Sequence, residues 1–341
     1  MSRLSALRSI DVHNHVFQRE WFEDLRKDHQ RLLPELERES TTRKSFALKV
    51  GSSDIAARFV PDTIFDLKKR RAELKSLRID VQVLSAVPFL FFYDLPSEVA
   101  LQFTRAQNEG IARIVRDYSD EFVGLSCVPL QDPELAVSEL ERSVKHLGLK
   151  GVEIGSNING LTLDDRSLWP FYRKAQDLGV PIMVHPVGSG VSRLGKYYLG
   201  NFLGNPLETS IAVSSVVFGG ALKSFPRLKF YFVHGGGFIP YQRGRLSHGF
   251  KVRPEPKEII SVDPEYYLDK IYFDSVLHYP QALEFLVRTH GSGKVLLGSD
   301  YPFDMRLPNP VDSIRNLKLS DTAKSEVISK NAAEMFKLNL D

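Results

Sequence analysis

The sequence is poor in cysteine, with Cys127 alone among 341 residues. An intramolecular disulfide is therefore excluded. The neighbours of Cys127 are apolar (FVGLSCVPL, 122–130), and this context predicts a packing thiol in a buried strand and not a nucleophile. Charge of one sign is not in excess either, because 45 Lys and Arg against 42 Asp and Glu leave a formal net charge of +3. So small a charge gives no field strong enough to predict nucleic acid or an anionic membrane as a partner.

Long apolar runs are also missing. Uncharged stretches such as residues 81–93 are shorter than the ~20 residues that span a bilayer. Residues 1–11 (MSRLSALRSID) lack the apolar core of a signal peptide. No Gly/Ser linker, repeat or low-complexity tract marks a second domain. We therefore expect a cytoplasmic protein with a single domain over residues 1–341.

Eight short runs rich in β-branched and aromatic residues recur along the chain, and most are separated by helical patterns. Segments such as 133–148 (PELAVSELERSVKHLG) carry apolar residues three and four apart and end in glycine. Strands that alternate with helices predict βαβ units and a parallel sheet. Eight such units predict a closed (β/α)8 TIM barrel with insertions. The predicted strands are 9–16, 81–88, 122–130, 151–156, 181–186, 229–236, 271–277 and 294–302.

One segment does not fit this repeat. Residues 17–65 lie between predicted strands one and two, and they are charged and partly helical in pattern (REWFEDLRKDHQRLLPELERES, 19–40). We predict a small helical insertion after strand one, within the same domain. Because it leaves strand one at the catalytic end of a barrel, the segment is placed to cover the site. A solvated helical excursion is the alternative.

Five residues that can bind a metal lie at strand positions on one rim of the predicted barrel. His13 and His15 are two apart on strand one, so both side chains point to the same face, here the interior. Two imidazoles in an apolar barrel are costly unless a divalent ion or hydrogen bonds use them. His185, His234 and Asp300 end strands five, six and eight, on the C-terminal rim where barrel enzymes build their sites. The pattern predicts a metal site.

The end of strand four has no lysine. The run GVEIGS (151–156) offers only Glu153 there. Since a second metal ion usually needs a bridging ligand at this position, a mononuclear site is favoured. Glu153 as a second ligand and Glu153 as a carboxylate bonded within the barrel are the alternatives.

These residues lie in motifs that closely resemble the aminocarboxymuconate-semialdehyde decarboxylase branch of the amidohydrolase superfamily. The likeness covers nearly the whole chain except residues 17–56. The run at 232–250, with its HGGG, GR and SHGF elements, is specific for this branch. The motifs are IDVHNHV (10–16), VQVLSAVPF (81–89), FVGLSCVPLQDPELAVSELER (122–142), NPLETS (205–210), FVHGGGFIPYQRGRLSHGF (232–250) and GSDYPF (298–303).

The resemblance implies a role for each of the rim residues. One zinc ion per chain, with manganese as the alternative, would be bound by His13, His15, His185 and Asp300. His234 would be the general acid/base beside a metal-bound water, and Asp300 would share the proton transfer.

The resemblance also implies how a substrate is held. Arg58 and Arg245 match a pair of arginines that bind the substrate carboxylate, and guanidinium pairs carboxylate bidentately. Arg245 would reach the site from the neighbouring subunit of a homodimer, and Phe303 would line the substrate pocket. Without the resemblance, Arg58 reads as a surface arginine of the insertion.

The sequence departs from the family pattern in two places. After strand five the family has Trp-Asp where this chain has Val187 and Gly188. Where two tryptophans line the family's pocket, this chain aligns Tyr198 and Asn201. We therefore expect a pocket of different shape, and the family's own substrate does not transfer directly.

Together these features predict a metal-dependent non-oxidative decarboxylase, a carboxy-lyase of an acidic aromatic or muconate-semialdehyde-type small molecule. A hydrolase of a lactone or amide on the same metal centre is the alternative, because the same activated water serves both and fold does not decide function. A non-catalytic, metal-stabilised binding protein is disfavoured, because His234 has no structural need to lie beside an open metal site. His248 and His278 are predicted to be structural or to lie behind the metal ligands without taking part directly. His29, His146 and His290 are predicted to lie at the surface.

Overall fold

Eight parallel strands form the centre of the computed structural model, which describes residues 8–40, 45–50, 55–188 and 190–339, with the backbone alone for 38–40, 50 and 55–59. Each strand pairs with the next one along the chain. The predicted (β/α)8 barrel is therefore confirmed. Its strands are β1 (Ile10–Asp11, continued at His15–Val16), β2 (Val81–Ala86), β3 (Phe122–Ser126), β4 (Gly151–Gly155), β5 (Ile182–His185), β6 (Phe230–Phe232), β7 (Tyr272–Asp274) and β8 (Val295–Leu296).

Backbone hydrogen bonds join the end of β8 to β1. The amide of His15 donates to Tyr301 O at 2.7 Å, and the amide of Asp300 donates to His13 O at 2.8 Å. The backbone hydrogen bonds that close the barrel therefore join the two segments that carry three of the predicted metal ligands.

A helix follows each strand and packs on the outside of the barrel. Caps fix several helix ends: Asp132 accepts from the amides of Glu134 and Leu135, and Gly179 ends a helix in the left-handed conformation. No helix in the described ranges is both long and apolar enough to cross a membrane. The wall helices are Leu67–Leu77, Ser97–Asp117, Pro133–Lys145, Trp169–Leu178, Asn205–Phe218, Ile239–Val252, Pro280–His290 and Pro310–Arg315, and shorter ones are Arg26–His29, Ala221–Ser224, Glu265–Leu268, Asp321–Ser325 and Asn331–Phe336.

The barrel interior changes from apolar to polar along its axis. At the end where the strands begin, Ile10 and Val81 pack with Tyr231 and with Phe336 of the last helix. Towards the ends of the strands the buried interior residues are polar or ionisable: His13, His15, Ser85, Glu153, His185 and Asp274. The apolar end closes the barrel, and chemistry is confined to the other end.

The insertion between β1 and β2 is mainly helical in its first half and mainly a sheet in its second. Short helical turns cover Arg19–Leu25, Arg26–His29 and Gln30–Leu32. The chain then forms a three-stranded antiparallel sheet from Pro34–Ser40, Ser45–Val50 and Ile55–Pro61. The prediction of a helical insertion was wrong for this half. Proline does not continue a helix, and the following residues alternate with the period of two that suits a strand.

A buried guanidinium ties a wall helix to β1. Arg70 of Leu67–Leu77 is fully buried. It donates to the carbonyl of His15 at 2.7 Å, to Asn14 Oδ1 at 2.7 Å and to Gln82 Oε1 at 2.8 Å. Burial lowers the pKa of Arg70 to about 10, so the side chain keeps its charge at neutral pH. The strand segment that carries two predicted ligands is thus held from behind by one side chain.

We expect Arg70→Met to lower the free energy of unfolding by about 3–5 kcal/mol, because three buried acceptors lose their donor. The matched control is Arg71→Met. Arg71 is partly exposed and pairs with Glu121 at 2.5 Å, so its loss should cost less than about 1 kcal/mol. Urea unfolding of the two variants measures both values. Equal destabilisation by the two substitutions would contradict this account of Arg70.

Candidate metal centre and active site

Four of the predicted site residues converge at the C-terminal rim of the barrel. One ligand atom from each of His13, His15, His185 and Asp300 lies within 4.8 Å of the others, and all four residues are buried. Asp300 Oδ1 lies 3.3 Å from His13 Nε2 and 3.4 Å from His15 Nε2. The group contains three imidazole nitrogens and one carboxylate oxygen, a donor set that suits a first-row divalent ion.

The hydrogen bonds of the three rings test whether they fit a metal ion. Each ring uses its Nδ1 atom: His13 contacts Asp274 Oδ2 at 2.6 Å, His15 contacts the Ala86 carbonyl at 2.9 Å and His185 contacts the Pro186 carbonyl at 2.9 Å. With hydrogen on Nδ1, each ring presents the lone pair of Nε2. Within the described residues His13 Nε2 is buried and makes no hydrogen bond. The residues therefore fit a divalent ion.

The charges at the site also favour metal binding. Burial, and then the neighbouring rings His15 and His13, hold the pKa of His185 well below its usual value, so this ring is neutral. Burial opposes protonation of His13, but Asp300 and Asp274 together raise its pKa to about 10. Burial opposes ionisation of Asp300, but the charge of His13 and the close contacts with the neighbouring histidine rings keep its pKa well below the usual value. Negative charge is thus concentrated where a cation would bind, and a cation would compete with the proton of His13.

His234 faces the cluster from a turn at the end of β6. Its φ is +54°, and positive φ values continue through Gly235, Gly236 and Gly237. His234 Nε2 lies 3.6 Å from Asp300 Oδ2, and the ring centroids of His234 and His13 are 5.1 Å apart. The turn explains why β6 ends earlier than predicted and why glycines follow the histidine, since only glycine adopts such φ values without strain.

Glu153 lies beneath the cluster and is not part of it. It is fully buried on β4, and Glu153 Oε1 is 4.0 Å from His15 Nδ1. Neither carboxylate oxygen makes a hydrogen bond in the described part of the chain, and burial raises its pKa well above the usual value. The metal-competent group found among the described residues does not include Glu153.

The predicted substrate residues are placed differently from one another. The ring of Phe303 lies 5.4 Å from that of His15, centroid to centroid, so it borders the cluster. Arg245 is exposed on the helix Ile239–Val252, and in the described ranges it makes no hydrogen bond or ion pair. The backbone of Arg58 belongs to the strand Ile55–Pro61, but its side chain lies outside the described residues.

The positions that depart from the family pattern lie in the loop after β5. Val187 is partly buried and packs towards Gly155. Tyr198 has a φ of +61° and stacks edge-on against Phe202 at 5.2 Å. Burial, with the charges of Asp304 and Asp300, raises the pKa of Tyr198. Asn201 is in the turn Gly200–Gly204.

The remaining histidines lie away from the cluster. His278 is exposed and contacts the Met305 carbonyl at 2.7 Å, and His248 is exposed. The prediction that His290 is at the surface was wrong: it is 6% exposed and stacks on Phe273 at 4.3 Å between centroids. It is the last residue of a wall helix that packs directly on β7. His29 is partly exposed, and His146 is exposed.

Two buried carboxylates near the ligands were missed at the sequence level. Asp274 ends β7 and contacts the His13 ring. Asp11 is fully buried on β1 and accepts from Gln82 at 2.7 Å and from Ser299 at 2.6 Å. A carboxylate inside the apolar run of predicted strand seven (271–277) is the signal that could have found Asp274. Cys127, in contrast, is buried as predicted, and burial raises the pKa of its thiol.

A parallel (β/α)8 barrel with three imidazoles and one carboxylate at the C-terminal rim defines the class of metal-dependent barrel enzymes. Comparison with known proteins agrees. The family model described as Amidohydrolase matches residues 10–338, so the chain belongs to the amidohydrolase family.

Several individual relatives within this class are decarboxylases. The chain is 38% identical over 285 residues (83% of this chain and 79% of the relative) to a 2-amino-3-carboxymuconate-6-semialdehyde decarboxylase of Dictyostelium discoideum. A solved structure of 5-carboxyvanillate decarboxylase from Sphingomonas paucimobilis superposes with a TM-score of 0.82 at 25% identity, covering 98% of this chain and 100% of that one. Another, a dihydroxybenzoic acid decarboxylase from Polaromonas sp. with bound manganese and the inhibitor 2-nitroresorcinol, has a TM-score of 0.79 at 24% identity and covers 97% of both chains.

Proposed function

We propose that this chain is a metal-dependent, non-oxidative decarboxylase of a small acidic substrate, either aromatic or of the muconate-semialdehyde type. The observation that carries the proposal is the cluster of His13, His15, His185 and Asp300, with the ring of His234 directed at Asp300 from outside the ligand set. The relatives named above supply the substrate class.

The ion would be bound by the three Nε2 atoms and a carboxylate oxygen of Asp300. Zinc suits a mostly imidazole donor set, and manganese is the alternative. When bound, the ion supplies Lewis-acid polarisation of a substrate oxygen beside the carboxylate. One ion per chain is expected, because the group contains four ligands and Glu153 lies outside it.

The protein's own groups have to manage one proton and one carboxylate. In decarboxylation the bond between carbon and carboxylate breaks, its electron pair stays on carbon, carbon dioxide leaves and carbon takes a proton. We assign delivery of that proton to His234, with Asp300 beside it at 3.6 Å. Arg58 and Arg245 are assigned to hold the carboxylate, and Phe303 to pack against the substrate ring.

The surface around Arg245 supports a homodimer in which this residue serves the partner's site. Tyr241 is 80% exposed on the same helix, and Phe238, Phe285 and Phe202 on neighbouring segments are 40%, 44% and 50% exposed. An apolar patch of this kind is typical of an interface. Twofold symmetry would exchange the two Arg245 side chains. We further propose that the insertion 17–65 covers the site, because it leaves β1 at the rim that carries His15.

Removal of metal tests the proposal directly. We expect chelated protein to lose carbon dioxide release from the substrate and to recover it when about one equivalent of Zn2+ or Mn2+ per chain is restored. Elemental analysis together with the activity assay measures this. Full activity without metal would refute the proposal, and two tightly bound equivalents would make Glu153 a ligand.

A further inference from the structure

We infer that Asp274 is a positioning residue that sets two parts of the site with one carboxylate: the ring of His13 and the turn that carries His234. This inference rests on the proposed function for the roles of those two histidines. Asp274 ends β7 and is fully buried. Its two oxygens bond in opposite directions, one towards β1 and one towards β6.

The first contact fixes the tautomer of His13. Asp274 Oδ2 lies 2.6 Å from His13 Nδ1. An ionised carboxylate can only accept, so Nδ1 carries a hydrogen and Nε2, which faces the ligand cluster, is the atom left for a metal ion. Carboxylates that hold a metal-binding histidine in this way set its orientation and raise its basicity.

The second contact holds the turn after β6. Asp274 Oδ1 accepts from the amide of Gly235 at 2.7 Å and from that of Val276 at 3.1 Å. His234 has a φ of +54°, a left-handed conformation that is strained for a residue with a Cβ. Such a conformation persists only where the surroundings hold it, and the bond from Gly235 to Asp274 is the adjacent polar contact that does so.

Side chains of β7 and the loop after it shape the same turn. A Cβ on Gly235 would lie 2.8 Å from the Leu277 side chain, and one on Gly236 would lie 2.6 Å from the ring of Phe273. Side chains of the segment from Phe273 to Leu277 therefore pack against the turn and shape it, and Asp274 supplies the hydrogen-bond acceptor. His13 and His234 are aligned because they share it.

The two contacts respond differently to Asp274→Asn. The asparagine oxygen is expected to stay with the two backbone amides, since the reverse orientation would set its NH2 group against two donors. Its NH2 group then faces His13 Nδ1 and selects the tautomer with hydrogen on Nε2, which cannot bind a metal. The substitution should thus spare the turn and impair the ligand.

The test is Zn2+ affinity, measured on chelated full-length protein by competition with a fluorescent chelator. We expect Asp274→Asn to bind Zn2+ about 10–100-fold more weakly than the unchanged protein, with little change in the thermal midpoint of the chelated form. The matched control is Asp11→Asn, which alters another fully buried carboxylate that bonds no histidine ring, and it should leave the affinity within a few-fold. Gly235→Ala should bind Zn2+ normally and lose activity by about 10²–10⁴-fold, because it displaces His234 alone.

Unchanged Zn2+ affinity in Asp274→Asn, equal weakening in Asp11→Asn, or full activity in Gly235→Ala would each overturn the inference. Should Asp274→Asn fail to fold, nitrogen-15 NMR of the Zn2+-loaded unchanged protein decides: hydrogen on His13 Nδ1 supports the inference, and zinc on Nδ1 overturns it. Metal affinity is independent of turnover. If Zn2+ binding follows this pattern and no substrate loses carbon dioxide, the proposed function fails and the role of Asp274 towards His13 stands.

Discussion

Replacing His234 with alanine is expected to lower kcat/KM by about 10²–10⁴-fold, the usual contribution of a general acid–base, while the protein keeps its metal. His234 Nε2 lies 3.6 Å from Asp300 Oδ2, but the four atoms that converge as ligands come from other residues. The ring therefore faces the reacting centre without being needed to bind the ion. Steady-state kinetics and elemental analysis of the same preparation give the two values.

The matched control is His185→Ala. Its ring is one of the four ligands, and its Nδ1 atom is bonded to the Pro186 carbonyl, so only metal binding remains for Nε2. This variant should lose metal and activity together. If His234→Ala also empties the site, His234 is a ligand and its assignment as the acid/base is wrong.

The second large effect is expected at Arg245. Truncation of one partner of a buried carboxylate–guanidinium pair costs about 2–5 kcal/mol, so Arg245→Ala should lower kcat/KM on the order of 10²–10³-fold. Arg245 is exposed in the single chain, and in the proposed homodimer the partner chain would cover it. Lys251→Ala on the same helix also removes an exposed cation and should leave kcat/KM nearly unchanged.

Mixing two inactive variants shows whether Arg245 acts across a dimer. A dimer of one Arg245→Ala chain and one His234→Ala chain contains one site with an intact His234 and an Arg245 from the partner. Random exchange makes about half of the dimers mixed, so activity should return to about a quarter of the unchanged level. If subunit exchange is demonstrated and no activity returns, Arg245 acts within its own chain.

The sequence was sufficient for the barrel and for the ligand set. Alternating strand and helix patterns specify the order of elements, and parallel strands place their C-terminal residues on one rim. His13, His15, His185 and Asp300 were found because each lies at or near the end of an apolar run. The end of an apolar run can be recognised from the sequence alone.

What could not be predicted depends on contacts distant in sequence. Arg70 reads as part of a charged helical run, and only the fold shows it buried behind β1. Asp274 acts through contacts with His13 and Gly235, which are 261 and 39 residues away. In the insertion, charge suggested a solvated helix, whereas pairing between strands decided the second half, as it often does for strands of mixed polarity.

The fate of the substrate carboxylate tests the central claim most directly. The substrate would be 2-amino-3-carboxymuconate-6-semialdehyde, the compound for which the Dictyostelium relative is named, labelled with carbon-13 in its 3-carboxyl group. It would be incubated in D2O with the metal-loaded protein and followed by carbon-13 NMR. We expect the label to appear as carbon dioxide and bicarbonate, with one deuterium on the carbon that carried it. A product that keeps the label, with no carbon dioxide released, would contradict the account.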